Sequence, residues 1–323
     1  MPAVRALPAP AALGVVVLGG MASAAQGVVN SELGERAGNP VLGAVVNNLG
    51  GCLLILVGLF AVPSMRAGLA VLRRGGLPWW AYLGGLGGAA IVVIGTYVVP
   101  VLGVAVFTIA QVAGGSLGGL AVDRAGVSPA GRLPLTAPRV AGALLGVGAV
   151  ALAQLGRPVG DLAVGLVLLA VAGGLAVALQ SALNGRVSAA SSTAAGLAVN
   201  FAVSTPVILA VAAAVGAFAS RPAWPGQWWL YIGGLLGVGI VLALLVGVRA
   251  AGVLRTGLAL VAGQLGGALL LDVALPGGAG ARLPVLAGAG LTAAAVLLAG
   301  VRRRTPTRVA ADPASEPDGR LVG

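Results

Sequence analysis

The side chains able to do specific chemistry in this 323-residue chain are carboxamides set among apolar neighbours. Gln26-Gly-Val-Val-Asn30 returns, slightly altered, as Gln180-Ser-Ala-Leu-Asn184, and each places an amide pair at i, i+4 on one helical face. Asn47 and Asn48 follow the first pair, Asn200 follows the second, and Gln111 and Gln264 lie further along. A carboxamide offers donors and an acceptor and does not titrate. Such a set can hold a neutral or zwitterionic small solute, or it can tie helices together; it cannot pass protons. The rest of the inventory narrows the chemistry further. There is no His, Cys52 is the single cysteine, and Glu32, Glu35, Asp123, Asp161 and Asp272 all fall at the edges of apolar runs. No metal set, general base or nucleophile dyad can be drawn from these residues, so neither an enzyme nor a bound metal or cofactor is expected.

The amides belong to a longer repeat. Gly43-Ala-Val-Val-Asn47 answers to Gly196-Leu-Ala-Val-Asn200, and Trp79-Trp80-Ala-Tyr82 answers to Trp228-Trp229-Leu-Tyr231. Val112-Ala-Gly114-Gly115 running to Asp123 matches Val261-Ala-Gly263-Gln264 running to Asp272, and the offset stays near 150 residues throughout. One unit is written twice, over residues 1–157 and 158–301, ahead of a polar, Pro-containing tail at 302–323 that reads as disordered and cytoplasmic. The copies differ at one amide: the counterpart of Gln264 is Gly115, with Gln111 one turn earlier.

Composition locates the unit. A chain 59% hydrophobic and 8% charged, with mean hydropathy +1.05, cannot cover a soluble globule and reads as an all-α, multi-pass membrane protein. All 19 basic residues are Arg, scattered singly between apolar runs, which marks topology and not a nucleic-acid face. Helices are expected at about 11–30, 41–62, 79–100, 101–122 and 139–156, then 160–185, 192–216, 228–248, 252–271 and 284–301. Ser31 to Arg36 reads as a polar turn, and Arg66, Arg73 and Arg74 as a loop. The first helix could pass for a signal peptide, but its recurrence at 160–184 argues that it is retained.

Ten helices at five per repeat oblige the second copy to enter the bilayer inverted. With both termini in the cytoplasm, 15 arginines face inward and four outward, which agrees with that inversion. Gly84/Gly88, Gly114/Gly118, Gly233/Gly237 and Gly263/Gly267 are GxxxG pairs at equivalent places, suited to close helix contact. The Trp-Trp-x-Tyr groups suit interface anchors, and Arg302-Arg303-Arg304 suits contact with anionic membrane lipids.

A five-helix repeat with Q-x-x-x-N closing its first helix, an Asn in its second and Val261-Ala-Gly-Gln264…Leu-Leu-Leu271-Asp272 in its fourth resembles the drug/metabolite transporter superfamily, and within it the bacterial YdcZ-type branch, from about 11 to 301. The resemblance implies a ten-helix secondary transporter of the bacterial inner membrane, most simply an exporter of a small solute, with its path between inverted halves. The pathway residues would be Gln26, Asn30, Asn47, Asn48, Gln111, Gln180, Asn184, Asn200 and Gln264. Small multidrug exporters of the same superfamily depend on a buried Glu in the first helix. Nothing here fills that position, which disfavours a proton/lipophilic-cation antiporter. Glu32 and Asp272 stay candidates at a membrane edge. A lipid-carrier flippase, with Arg249 and Arg255 as its headgroup pair, and a non-transporting scaffold stay open as alternatives, as does a homodimer.

Overall fold

The computed structural model describes residues 7–153, 155, 163–274 and 283–301. The described residues are helical, with no strand among them. The helices are α1 (Ala9–Ala37), α2 (Pro40–Ala61), α3 (Pro63–Arg73), α4 (Leu86–Ala125), α5 (Ala137–Ala153), α6 (Val164–Ala190), α7 (Thr193–Ala214), α8 (Gly233–Ala251), α9 (Val253–Ala274) and α10 (Leu283–Leu298). The two Trp-Trp-x-Tyr groups form 3₁₀ turns, Trp79–Gly85 and Trp228–Tyr231, ahead of α4 and α8. Seven helical segments are long and apolar enough to span a membrane, and Trp79–Gly95, Ala137–Ala153 and Leu286–Leu298 are apolar but shorter. The chain is a multi-pass membrane protein. The 302–323 tail, Asp161, and the arginines at 5, 157 and 282 lie outside the described residues.

Helix ends follow local chemistry. Asn39 caps α2 by accepting from the Val41 amide at 3.0 Å, with Pro40 at the first helical position. Ser192 does the same for α7 at Ala195, at 3.1 Å. Gly38, at φ 91°, ends α1.

Three segments depart from the sequence expectation. Ser31–Arg36 is not a turn: α1 continues through it to Ala37, and Glu32 pairs with Arg36 one turn on. The arginine-rich stretch after Pro63 is not a loop either. It forms the amphipathic α3, whose Met65 and Gly68 are buried and whose Arg66 donates to the carbonyls of Leu59 and Phe60 at the end of α2. The third difference lies in α4, where no loop separates the expected third and fourth helices at Pro100. Gly87 nevertheless packs on Ala176 and Gly118 packs on Leu175 and Ala178, although a straight helix would hold residues 87 and 118 about 46 Å apart. The Phe107 ring also lies 3.4 Å from the side-chain position of Gly95. The chain therefore doubles back between Gly95 and Phe107, and two helical limbs abut without a connecting loop.

The packing is equivalent in the two halves of the chain. The second limb of α4 lies along α6 and α9 lies along α1. Gly114 abuts the Val171 carbonyl much as Gly263 abuts that of Val17. At neither position is there room for a Cβ, because backbone meets backbone.

Candidate functional site

The repeated amides fall into two ties that share a Gln-to-Asn link. In one, Gln26 Nε2 donates to Asn47 Oδ1 at 2.7 Å and to the Gly233 carbonyl at 2.9 Å. In the other, Gln180 Nε2 reaches Asn200 Oδ1 at 3.4 Å and Asn184 Nδ2 reaches the same oxygen at 2.6 Å. Each Q-x-x-x-N pair faces a GxxxG pair of the other half. Gly84 and Gly88 lie against Asn184 and Gln180, and Gly233 and Gly237 lie against Asn30 and Gln26. Only a bare Cα fits beneath these amide oxygens, so each motif supplies the space that the other fills. Asn48 makes a further link, accepting from Ser204 at 3.0 Å and donating to the Ala44 carbonyl at 3.0 Å. Cys52 shares a hydrogen bond with Thr205 at 3.2 Å, one residue before the Pro206 that lies within α7.

These contacts make the ties a folding element. Asn200→Ala would remove the shared acceptor from buried Asn184 and from Gln180, and is expected to destabilise the protein by about 2 kcal/mol. A lowered unfolding midpoint in detergent checks this; the cavity described next should be left intact.

A cavity of about 610 Å³ lies between α1, α4, α5, α6, α8 and α9. Two of the sequence-selected amides line it, Gln111 from α4 and Gln264 from α9; Gln26, Asn30, Asn47, Asn48, Gln180, Asn184 and Asn200 do not. The two lining amides keep polar groups open to the cavity. Gln264 Nε2 donates to Ser23 Oγ at 3.0 Å and its carbonyl has no partner among the described residues, while the Gln111 amide has none at either end. Ser23, Thr108, Ser116 and Ser181 add hydroxyls to the wall, and the rest of the described lining is aliphatic or Gly. Among the described residues no ionisable side chain lines it. Sequence reasoning passed over the hydroxyl residues because a lone Ser or Thr in an apolar helix usually bonds back to its own backbone, as Ser181 does to the Val177 carbonyl at 2.9 Å.

One end of the cavity is walled by closely packed side chains. Val253, Leu254 and Leu258 there belong to packed clusters with Leu13, Val16, Leu120 and Val122, all nearly inaccessible. Asp123, fully buried, fastens this end: its carboxylate accepts from the Val253 and Leu254 amides at 2.9 and 3.2 Å and from Arg139 at 2.6 Å. Gly252, at φ 79°, breaks α8 from α9 and so exposes the amides that Asp123 caps. Asp123 is thus an N-cap supplied from another helix. Towards the other end the wall becomes half-buried at Gln264 and Ala268 and exposed at Gly27 and Val28. Of the other edge charges, Glu32 is paired on the α1 surface, and Arg249 reaches Thr193 Oγ1 at 3.5 Å. The Asp272 side chain lies outside the described residues.

The comparisons with known proteins bear on this arrangement. Residues 11–152 and 165–302 match the family described as "Putative inner membrane exporter, YdcZ". The chain belongs to this YdcZ family. It is therefore a membrane transporter of the drug/metabolite type and not an enzyme. Among solved structures, one described only as "Crystal structure of protein" is similar over 90% of this chain and 96% of its own, with a TM-score of 0.66 and 20% identity, which shows a shared fold. No curated protein matches.

Proposed function

We propose that this YdcZ-family protein exports a small solute across the bacterial plasma membrane by alternating access, with the cavity between its halves as the substrate site. In this reading ten crossings form two inverted five-helix repeats, residues 1–157 and 158–301, with both termini in the cytoplasm. Support comes from the repeated motifs, the equivalent packing of α1 on α9 and of α6 on α4, and the fifteen-to-four arginine bias. The observation that carries the reading is the cavity itself, plugged by packed side chains at the Asp123 end and lined at its middle by two amides with unused hydrogen-bonding groups. Buried polar groups are normally satisfied, so amides left open to a cavity are expected to meet a ligand or water. A scaffold would have no use for such a chamber. A flippase for lipid-linked phosphates would need a cation in the wall, and none of the described residues lining it is one.

The test is a comparison of solutes accumulating in the medium of cells that express the protein or its Gln111→Leu/Gln264→Leu variant. Export of at least one solute is expected to fall tenfold or more in the variant while its unfolding midpoint in detergent stays within a few degrees of the parent. Identical solute profiles for the two proteins would remove the cavity from the transport path.

A further inference from the structure

We infer that the cavity selects uncharged amide-bearing amphiphiles: molecules with an apolar body and adjacent N–H and C=O groups, and no net or separated charge. The inference rests on the cavity being the substrate site and goes further, to the chemistry it accepts. Three observations lead to it.

First, none of the described residues in the wall is ionisable. A cation, an anion or a zwitterion entering it would give up its hydration without gaining a counter-charge, a cost that hydrogen bonds from neutral groups offset only in part. This sets zwitterions apart from neutral solutes, which amide chemistry alone does not do.

Second, beside its hydroxyls the wall carries two carboxamides, and they come from different helices. The Gln111 carboxamide, on α4, has both ends open, and the Gln264 carbonyl, on α9, is open while its nitrogen is held by Ser23. A carboxamide shows an acceptor beside a donor. The matching surface is an edge with the same two groups in reverse order, as in an amide, a lactam or a nucleobase edge. Because Ser23 holds Gln264 Nε2 at 3.0 Å, the free carbonyl of Gln264 is presented as a fixed acceptor. The two glutamines are therefore not equivalent: Gln264, with one of its two N–H groups already used, offers chiefly a fixed acceptor, and Gln111 accommodates either a donor or an acceptor.

Third, the surrounding wall is apolar, with Val112, Val177, Leu244, Val261 and Leu265 around the two amides. A small polar molecule such as urea would leave that wall wet, whereas an amphiphile covers it and gains about 25 cal/mol for each Å² of apolar surface withdrawn from water. A volume near 610 Å³ suits a drug-sized solute.

The test uses four probes with one side chain and different charge: N-acetylphenylalaninamide (neutral), phenylalaninamide (cation), N-acetylphenylalanine (anion) and phenylalanine (zwitterion). Binding to the full-length purified protein is measured by thermal stabilisation at about pH 6.5, where an α-amino group is protonated. Uptake into proteoliposomes is measured in parallel. The neutral amide is expected to bind at least tenfold more tightly than each charged analogue, and Gln111→Leu and Gln264→Leu are each expected to weaken it about tenfold. Ser23→Ala should also weaken it, by freeing the Gln264 amide to rotate, without lowering the unfolding midpoint of the unliganded protein. Equal or tighter binding of a charged analogue, or binding of none of the four, overturns the inference. If a charged analogue binds and Gln264→Leu abolishes that binding, the class assignment fails while the cavity reading stands. If the neutral amide is carried equally well by both glutamine variants, the cavity reading itself fails.

Discussion

Gly263→Ala is expected to cost about 3 kcal/mol of stability and to lower sharply the yield of monodisperse protein in detergent. The side chain added would collide with the Val17 carbonyl and come within 2.9 Å of the Gly20 Cα, so the obstacle is backbone of α1 that cannot rotate away. Relief requires α1 and α9 to separate along the seam that also carries Gly20 and Gly267. A Cβ added at Gly20 would lie 2.8 Å from the backbone of Gly263 and Gln264, and one at Gly267 would lie 2.7 Å from the Met21 Cα. The control lies on the same helix. A Cβ at Gly266 meets nothing within 4 Å, so Gly266→Ala should be neutral or stabilising by about 0.5–1 kcal/mol through helix propensity. Gly114→Ala, at the equivalent seam of α4 on α6, should behave like Gly263→Ala. Thermal unfolding of the four proteins decides the matter. Equal midpoints for Gly263→Ala and Gly266→Ala would mean that the seam is not tight.

Asp123→Ala is the second large effect, expected at about 3–5 kcal/mol, because it leaves the Arg139 charge, only 7% exposed, without a partner. It also strips the cap from the start of α9, and an N-cap alone is worth about 1 kcal/mol. The two parts separate in a double-mutant cycle. Asp123→Ala/Arg139→Leu should recover most of the loss, since it removes the stranded charge, and the remainder measures the cap. Asp123→Asn should fall between, keeping an acceptor for the α9 amides but not the ion pair. In transport, loosening this end should also let the cavity open towards the side that Asp123 now closes, so leakage through Asp123→Asn is expected at a level of stability where the protein remains folded.

The helices were largely legible from the sequence, because apolar runs of membrane length leave little choice of secondary structure. What failed was local: Ser31–Arg36 looked like a turn because it is polar, yet an i, i+4 ion pair keeps it helical. The α3 stretch looked like a loop because it is arginine-rich and too short to cross, yet amphipathic spacing turns Met65 and Gly68 inward.

For the site, both halves of the answer were visible but not their connection. The repeated Q-x-x-x-N and the repeated GxxxG stood out separately, and nothing in a linear sequence says that Gln180 and Asn184 lie on Gly88 and Gly84. That contact sets the amides that looked most like a binding set against helix backbone, away from the cavity, and leaves on its wall Gln111 and Gln264, the pair whose departure from the repeat had marked the halves as unequal. Asp123 and Arg139 were read as an edge charge and a topology signal. Sixteen residues apart around a Pro-containing loop, they gave no local hint that they meet in the interior.

The central claim is that one cavity is reached in turn from the two faces of the membrane. Gly257 lines it and has open space where a side chain would go, so Gly257→Cys, made in a Cys52→Ser background, places a single thiol in the chamber. Its reaction with a membrane-impermeant maleimide, applied to one face at a time, is the most direct test. Alternating access predicts labelling from both faces, with each rate slowed by a bound solute. Labelling from neither face, or from one face alone whatever solute is present, would contradict it.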